Sequence, residues 1–436
     1  MALDTADTTV PETSPTTPPV SRRYAWLVFS LSFGLLLSDY MSRQVLNTVF
    51  PMLKAQWLLS DTQLGSLSSI VSLMVGVLTF PLSLLADRWG RVTCLVIAAT
   101  VWSLATLGCA VSASYGQMFW ARFIVGVGEA AYGSVGTAVV LSVFPTRLRA
   151  TFSGAFLSGG TFGSVLGVSI GAVIAQQFGW RWAFGTMGLY GLVLVALYGL
   201  VVKEKRLGTA SPQHSTRTRD RAPQLSRLFS SVSVICAYIG SGLQLFMPMA
   251  LLAWMPSFLT RYYDLPLAQA GLAAGVFALL GGTGMVLGGI VADRLSRKVA
   301  KRKWTFAIIC SLGSLVLLMA GFRLPSGSLQ LFLIAVGTLL CSATTGPVVA
   351  LVASLTPAAI AATAFATLTL ANNLLGLAPG PAVTGMLADH LGLRGALQVA
   401  PLAGILSAVA FAIGRRHYER DRRRLGLLPD VEIASR

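Results

Sequence analysis

Four ionisable residues lie within long apolar stretches of this sequence, where charged side chains are rare. Asp39 and Arg43 are four positions apart, so they would share one face of a helix. Arg122 and Glu129 are seven positions apart and would also share a face, about 10.5 Å apart along the axis. Each such group costs about 2.5–3.5 kcal/mol to insert into a bilayer. The four residues therefore predict a site of proton coupling or substrate binding, with Glu129 as the preferred proton carrier.

Two further interpretations of these charges stay open at this point. A guanidinium group suits a carboxylate or phosphate, so the two arginines could hold an anionic substrate. The pairs could instead be permanent ion pairs that fix helix packing. Polar and aromatic residues of neighbouring stretches are predicted to line a substrate cavity, although anchoring at the lipid interface or interhelical hydrogen bonds explain them equally well. These are Asn47, Tyr132, Gln244, Trp254, Asn372 and Asn373.

The elements that position these residues are membrane-spanning helices. Of the 436 residues, 54% are hydrophobic and 11% are charged, whereas about a quarter of a soluble domain is charged. Apolar runs long enough to cross a hydrocarbon core of about 30 Å recur along the chain. The predicted fold class is an all-α integral membrane protein with twelve transmembrane helices. They are expected at 24–50, 62–85, 92–112, 116–142, 152–176, 181–202, 231–259, 268–291, 304–323, 328–354, 359–386 and 394–414.

The chain divides into two similar six-helix halves. Asp87, Arg88 and Arg91 follow the second span, and Asp293 and Arg294 recur after the eighth. These charges are predicted to form a gating loop motif that bridges the halves in one state. The expected domains are a disordered tail at 1–23, a first bundle at 24–202, a linker at 203–230, a second bundle at 231–415 and a tail at 416–436.

Charge distribution predicts the orientation and excludes several function classes. Most of the 33 Lys and Arg residues fall on the side that carries both termini and the linker, which is therefore predicted to be cytoplasmic. The net charge of +17 sits at the ends of apolar runs, so nucleic acid is not an expected partner. The five cysteines show no metal spacing and the three histidines are scattered. We expect neither an enzyme, nor a cofactor, nor a metal site.

The repeated loop motif resembles that of the major facilitator superfamily, G-x-x-x-D-R-x-G-R. Ser83 stands where the first copy would have its first glycine, and Ser296 replaces the second glycine of the second copy, which keeps Gly289. The resemblance implies two six-helix bundles that work by alternating access.

Within that superfamily the sequence is most similar to the spinster-like family and next to the anion:cation symporter family. The similarity rests on runs in both halves, at 39–46, 60–65, 122–130, 179–184, 372–381 and 393–397, with Gly385 and Asp389. The family's acid directly before the Arg of span 1 is Ser42 here, while an acid appears at Asp39. The resemblance implies coupling or substrate roles for Arg43, Arg122 and Glu129. We expect Asp39, one turn away, to take the role of the family acid that Ser42 replaces.

The expected function is secondary active transport of a small organic anion or amphipathic solute, coupled to protons or another ion. The alternatives are a uniporter or an exporter of lysolipid-like or drug-like compounds and, as a different class, a channel or membrane receptor. We expect a monomer in the lipid bilayer of the bacterial cytoplasmic membrane. In span 5, Gly159, Gly163, Gly167 and Gly171 recur every four residues and predict a smooth face at the rocking interface.

Overall fold

The computed structural model describes residues 20–130, 132–145, 148–204, 207, 231–297, 299–356 and 360–425, which are almost entirely helical. Most of the predicted tails and linker, namely 1–19, 205–206, 208–230 and 426–436, lies outside the described residues. The helices are α1 (Arg22–Trp57), α2 (Asp61–Trp89), α3 (Arg91–Val111), α4 (Tyr115–Glu129 and Tyr132–Val143), α5 (Arg149–Phe178), α6 (Trp180–Val201), α7 (Val232–Tyr262), α8 (Leu267–Ser296), α9 (Arg302–Arg323), α10 (Ser328–Ser342 and Thr345–Ser354), α11 (Ala361–Asn372, a π-helical turn Asn373–Leu377, and Pro379–Val399) and α12 (Ala403–Arg424).

Ten helices in the described ranges are long and apolar enough to cross a membrane. The prediction of twelve spans is consistent with this number for two structural reasons. α4 is described as two segments on either side of residue 131, which lies outside the described residues, and neither segment is long enough alone. The stretch from Thr363 to Arg424 has a kink at Gly392, where φ is 71°, inside the segment Pro379–Val399. The residues before and after this kink form two separate spans.

Helix ends follow local sequence signals. Ser60 and Gln63 form a capping box at the start of α2, in which each side chain accepts from the other residue's backbone N–H, at 3.1 and 3.0 Å. Gly90 and Gly179 have φ of 89° and 90° and join α2 to α3 and α5 to α6. Only glycine adopts this backbone conformation without strain, so consecutive helices can turn back within one residue.

The glycine stripe of α5 packs within the first half. A Cβ on Gly163 would meet Leu37 and Tyr40 of α1, and a Cβ on Gly167 would meet Met41. The expectation that this stripe forms the rocking interface is therefore wrong. It allows close packing of α1 against α5 inside one bundle.

The two halves meet at one end of the molecule. We call the end with both chain termini the termini end, and the opposite end, with the α1–α2 and α7–α8 turns, the far end. On the far-end side, Gly65 of α2 approaches the backbone of Pro381 in α11. Gly271 of α8 similarly approaches Val168 and Ala172 of α5. The sequence predicted that glycines of α5 form the contact between the halves. At the α5–α8 contact the glycine belongs to α8 instead.

Candidate functional site

The charged cluster of the first half is built around Arg43. Its Nε lies 2.5 Å from Oε2 of Glu129 and 3.7 Å from Oδ1 of Asp39. Asp39 and Glu129 are each only 3% exposed. Three of the four predicted charges thus form one buried group, in which one guanidinium contacts two carboxylates.

Close packing of α4 positions Glu129. A Cβ on Gly126 would touch the backbone of Val71 in α2, and a Cβ on Gly128 would touch the backbone of Trp102 in α3. Because small residues let helix backbones approach closely, these two glycines draw α4 into the bundle next to α1. Glu129 lies at the end of the first segment of α4, and its carboxylate accepts a hydrogen bond from Nε of Arg43 in α1.

Arg122 takes a different partner from the one its spacing predicts. Its Nη1 donates to the carbonyl of Ser42 at 3.3 Å, and its Nε lies 3.5 Å from the carbonyl of Leu67. The side chain is 1% exposed. Glu129 therefore pairs across helices with Arg43 and not along α4 with Arg122.

Four of the predicted cavity residues are engaged in hydrogen bonds inside the bundles. The Asn47 amide donates to Gln44 at 2.7 Å, and the Tyr132 hydroxyl donates to the carbonyl of Ser32 at 2.6 Å. Trp254 donates to the carbonyl of Pro381 at 3.1 Å, and Gln244 donates to that of Cys341 at 3.1 Å. All four are at most 3% exposed. Tyr132, Gln244 and Trp254 form hydrogen bonds between helices, whereas the Asn47–Gln44 hydrogen bond lies within α1.

The two predicted asparagines lie at the π-helical turn of α11. Asn373 donates to the carbonyl of Thr369 at 2.9 Å and packs against Gly76 of α2. The amide oxygens of Asn372 and Asn373 have no hydrogen-bond partner in the part of the chain that the structure describes. A π-helical turn often marks a functional position, although both oxygens are buried in this conformation.

A cavity of 360 Å³ lies between the two halves and contains none of the six predicted wall residues. Most of its wall is apolar, with Met249, Met255 and Phe277 from the second half. Its polar lining consists of one tyrosine and five hydroxyl residues: Tyr40, Thr161, Ser164, Thr338, Ser342 and Thr345. Tyr40 joins the cavity to the charged cluster, because the guanidinium of Arg43 lies 5.4 Å from the centre of its ring.

The second half has an uncharged counterpart of the cluster. In α7, Pro256 follows Gln244 by twelve residues. In α1, Pro51 follows Asp39 by the same number. The Gln244 side chain accepts from Ser311 at 2.7 Å, so the amide is satisfied on both sides. The two halves therefore share a helix pattern, while the ionisable groups at this level belong to the first half.

An ion-pair network at the far end was not predicted from the sequence. Arg261 of α7 donates two hydrogen bonds to Asp61 of α2, at 2.9 and 2.7 Å. Lys54 of α1 contacts the same carboxylate at 2.7 Å. Asp61 thus holds one cation from each half. One sequence feature could have indicated this network. Lys54 and Arg261 are basic residues in far-end turns that otherwise carry few charges.

Asp389 forms a second link between the halves. This α11 carboxylate accepts from the backbone N–H groups of Asp61 and Thr62, at 2.8 and 2.9 Å, and from the Thr62 hydroxyl at 2.5 Å. It therefore caps the N-terminus of α2 from the opposite half, where the helix dipole favours a negative charge.

The two copies of the loop motif lie at the termini end. Arg88 and Arg294 are exposed, and Asp293 pairs with Lys303 of α9 at 2.8 Å inside the second half. Arg91 begins α3, and its backbone N–H donates to Glu204 at 3.0 Å. Asp87 falls in the last turns of α2, and its side chain lies outside the described part of the chain.

Comparison with known proteins identifies the family. Residues 32–380 match the model of the Major Facilitator Superfamily. The chain belongs to this superfamily. It is accordingly a multi-pass membrane transporter and not an enzyme.

Individual relatives share the architecture at low sequence identity. The chain is 24% identical to protein spinster homolog 3 of Danio rerio, over 98% of this chain and 93% of the relative. It is 25% identical to the hexuronate transporter of Bacillus subtilis, over 64% and 68%. Its fold is similar to a bacterial homolog of the human lysosomal transporter Spinster in an inward-facing, unoccupied conformation, with a TM-score of 0.84, 19% identity and coverage of 92% and 99%.

Proposed function

We propose that this transporter carries an amphipathic organic anion and couples its movement to protons by alternating access. The observation that supports this most directly is the contact of Arg43 with two buried carboxylates, Asp39 and Glu129, beside Tyr40 of the cavity. An anionic solute that approaches Arg43 competes with those carboxylates for the same guanidinium. A proton on one of them removes that competition, so solute and proton binding are linked.

Two carboxylate oxygens without hydrogen-bond partners are the proposed positions for the proton. Within the described residues, Oδ1 of Asp39 and Oε1 of Glu129 are buried without a hydrogen-bond partner. Ionised oxygens without donors are costly in an apolar interior, whereas a protonated carboxyl can donate to its neighbour. Glu129 remains the preferred carrier because its side chain is fully buried and directly touches Arg43.

The cavity favours a solute with a substantial apolar part. Its wall offers methionines, Phe277 and scattered hydroxyl groups, whereas a polyhydroxylated solute needs many convergent polar groups. Arg43 is the accessible member of the cluster, with a side chain 17% exposed. The apolar part would lie against Met249 and Met255 with the anionic group towards Tyr40 and Arg43. The name of the hexuronate transporter relative is compatible with a carboxylate solute.

The proposed setting is the bacterial cytoplasmic membrane, with both termini in the cytoplasm and the protein acting as a monomer. Positive charge at the termini end supports this orientation, since Arg88, Arg294 and Arg416 are exposed there. In that orientation the closed far end faces outwards. Uniport or export of lysolipid-like or drug-like compounds stays the alternative, and non-saturable flux would indicate a channel.

The decisive experiment uses proteoliposomes with an internal pH dye and two solute pools, one of small carboxylates and one of lysolipids. We expect saturable, solute-dependent proton movement that is lost in Glu129→Gln and retained in the matched control Glu419→Gln, which makes the same change at an exposed acid of α12. Full proton movement in Glu129→Gln and in Asp39→Asn would refute the coupling role. Labelled-solute uptake without proton movement in the wild type would indicate a uniporter or another coupling ion.

A further inference from the structure

The lipid-facing side of α12 changes from apolar side chains to arginines. Leu406, Val409 and Ile413 are 61%, 50% and 40% exposed. Steps of three and four residues keep a helix position on one face, and the same steps lead on to Arg416 and Arg420, which are also exposed. The face that would contact acyl chains therefore ends in guanidinium groups.

The opposite face fixes the rotation of the helix. Tyr418 is 2% exposed, packs edge-on against Trp304 of α9 and lies 3.2 Å from the hydroxyl of Ser354. Asp421 is 4% exposed and accepts from the backbone N–H and the hydroxyl of Ser233, at 2.8 and 2.7 Å. Because these contacts hold α12 to α7, α9 and α10, the arginines stay turned away from the bundle.

The depth of the arginines matches a headgroup layer. At 1.5 Å per residue, Arg416 lies about 4.5 Å beyond Ile413 along the axis, and Arg420 about 10.5 Å beyond it. The polar layer on each side of a bilayer is roughly 5–8 Å thick. A side chain at Arg416 or Arg420 can therefore reach phosphate groups while Ile413 remains among acyl chains.

The acids of α12 do not neutralise this face. Glu419 pairs with Lys301 of the α8–α9 turn at 3.4 Å, and Asp421 is bound inside the bundle. The exposed arginines of the helix end are Arg415, Arg416, Arg420, Arg423 and Arg424. Arginine binds phosphate in bidentate geometry, which a positively charged surface of lysines would not do as well.

We propose that Arg416, Arg420, Arg423 and Arg424, here called the arginine stripe, bind the phosphate headgroup of an anionic phospholipid whose acyl chains lie along Leu406, Val409 and Ile413. Bound lipid joins α12 to the membrane surface and stabilises its packing against α7 and α9. This site is separate from the cavity and does not depend on the transported solute.

The test measures the melting temperature of the purified full-length protein in dodecyl maltoside, with added phosphatidylglycerol or phosphatidylcholine. We expect phosphatidylglycerol alone to raise the melting temperature. The variant Arg416→Gln/Arg420→Gln/Arg424→Gln should lose at least half of that rise. The control Arg22→Gln/Arg23→Gln/Lys203→Gln removes three exposed positive charges at the same end of the molecule and should keep it.

Five outcomes would overturn the proposal. Equal loss in both variants would indicate a general charge effect, and an equal rise with phosphatidylcholine would indicate an acyl-chain effect. A full rise with glycerol phosphate would indicate a free-phosphate site. Tight binding of an RNA oligonucleotide to the stripe, without a response to phosphatidylglycerol, would indicate a polyanion surface. A rise retained by the triple α12 variant would likewise place the lipid elsewhere.

Discussion

Arg261 of α7 donates two hydrogen bonds to the carboxylate of Asp61 in α2, and this ion pair joins the two halves at the far end. Lys54 binds the same carboxylate from α1, which belongs to the same half as Asp61. One acid thus has a cation across the rocking interface and a cation beside it. Lys54 compensates the charge of Asp61 within the first half, whereas Arg261 also links the two halves. Substituting each cation alone therefore tests the two roles separately.

The first prediction is that Arg261→Gln opens the far end, whereas Lys54→Gln leaves it closed. A hydrogen bond to a charged group contributes about 1.5–3 kcal/mol, so the open population should rise roughly 10- to 100-fold. Spin labels at Ala55 and Gln269, both exposed, would report the distance between the halves, and the five native cysteines are buried. Equal distance distributions in the two variants would show that the pair is not a latch.

The second prediction concerns Asp389, which caps α2 from α11. Asp389→Asn should also populate the open far end, because an amide oxygen is a weaker acceptor for the N–H groups of Asp61 and Thr62 than a carboxylate. Thr62→Val removes one of the three hydrogen bonds and should have a smaller effect, measured with the same labels. The cap hypothesis fails if Thr62→Val opens the far end as far as Asp389→Asn does.

Most of the fold could be predicted from the sequence, because spanning helices are specified by long apolar runs. The final helix was underestimated for the same reason. Its predicted span ended at 414, where the arginines begin, yet α12 continues to Arg424. Backbone hydrogen bonds and the burial of Tyr418 and Asp421 sustain that extension, and neither contributes to an apolar run.

The site was only partly predictable. Intramembrane charge identified Asp39, Arg43 and Glu129, but spacing along one helix says nothing about rotation against its neighbours, so the Arg43–Glu129 pair could not be foreseen. Asp61 and Asp389 stand at helix ends, where a charge needs no special explanation. Their roles arise only when the two halves meet, which depends on tertiary geometry.

The third prediction tests the cluster through stability. Arg43→Gln leaves Asp39 and Glu129 buried without their cation, and breaking a buried pair costs about 3–5 kcal/mol. The melting temperature should therefore fall clearly, and Arg43→Gln/Glu129→Gln should recover part of the loss because one of the uncompensated acids is also removed. Lys303→Gln breaks the ion pair with the exposed Asp293 and is expected to cost about 0–1 kcal/mol. A double variant as unstable as Arg43→Gln alone would argue against direct coupling of the pair.

The fourth prediction uses two glycines of α8 with different surroundings, Gly271 near the far end and Gly289 near the termini end. A Cβ on Gly271 would collide with Ala172 and the Val168 carbonyl of α5, whereas a Cβ on Gly289 would have nothing within 4 Å. Gly271→Ala should therefore push α8 away from α5 and widen the far end. Gly289→Ala should leave the distance unchanged, although both substitutions raise helix propensity by about 1 kcal/mol. The distance between labels at Ala55 and Gln269 distinguishes the two effects. If both variants keep the closed distance, the α5–α8 contact yields without opening, and closure then depends on Asp61 and Asp389 at the end of α2.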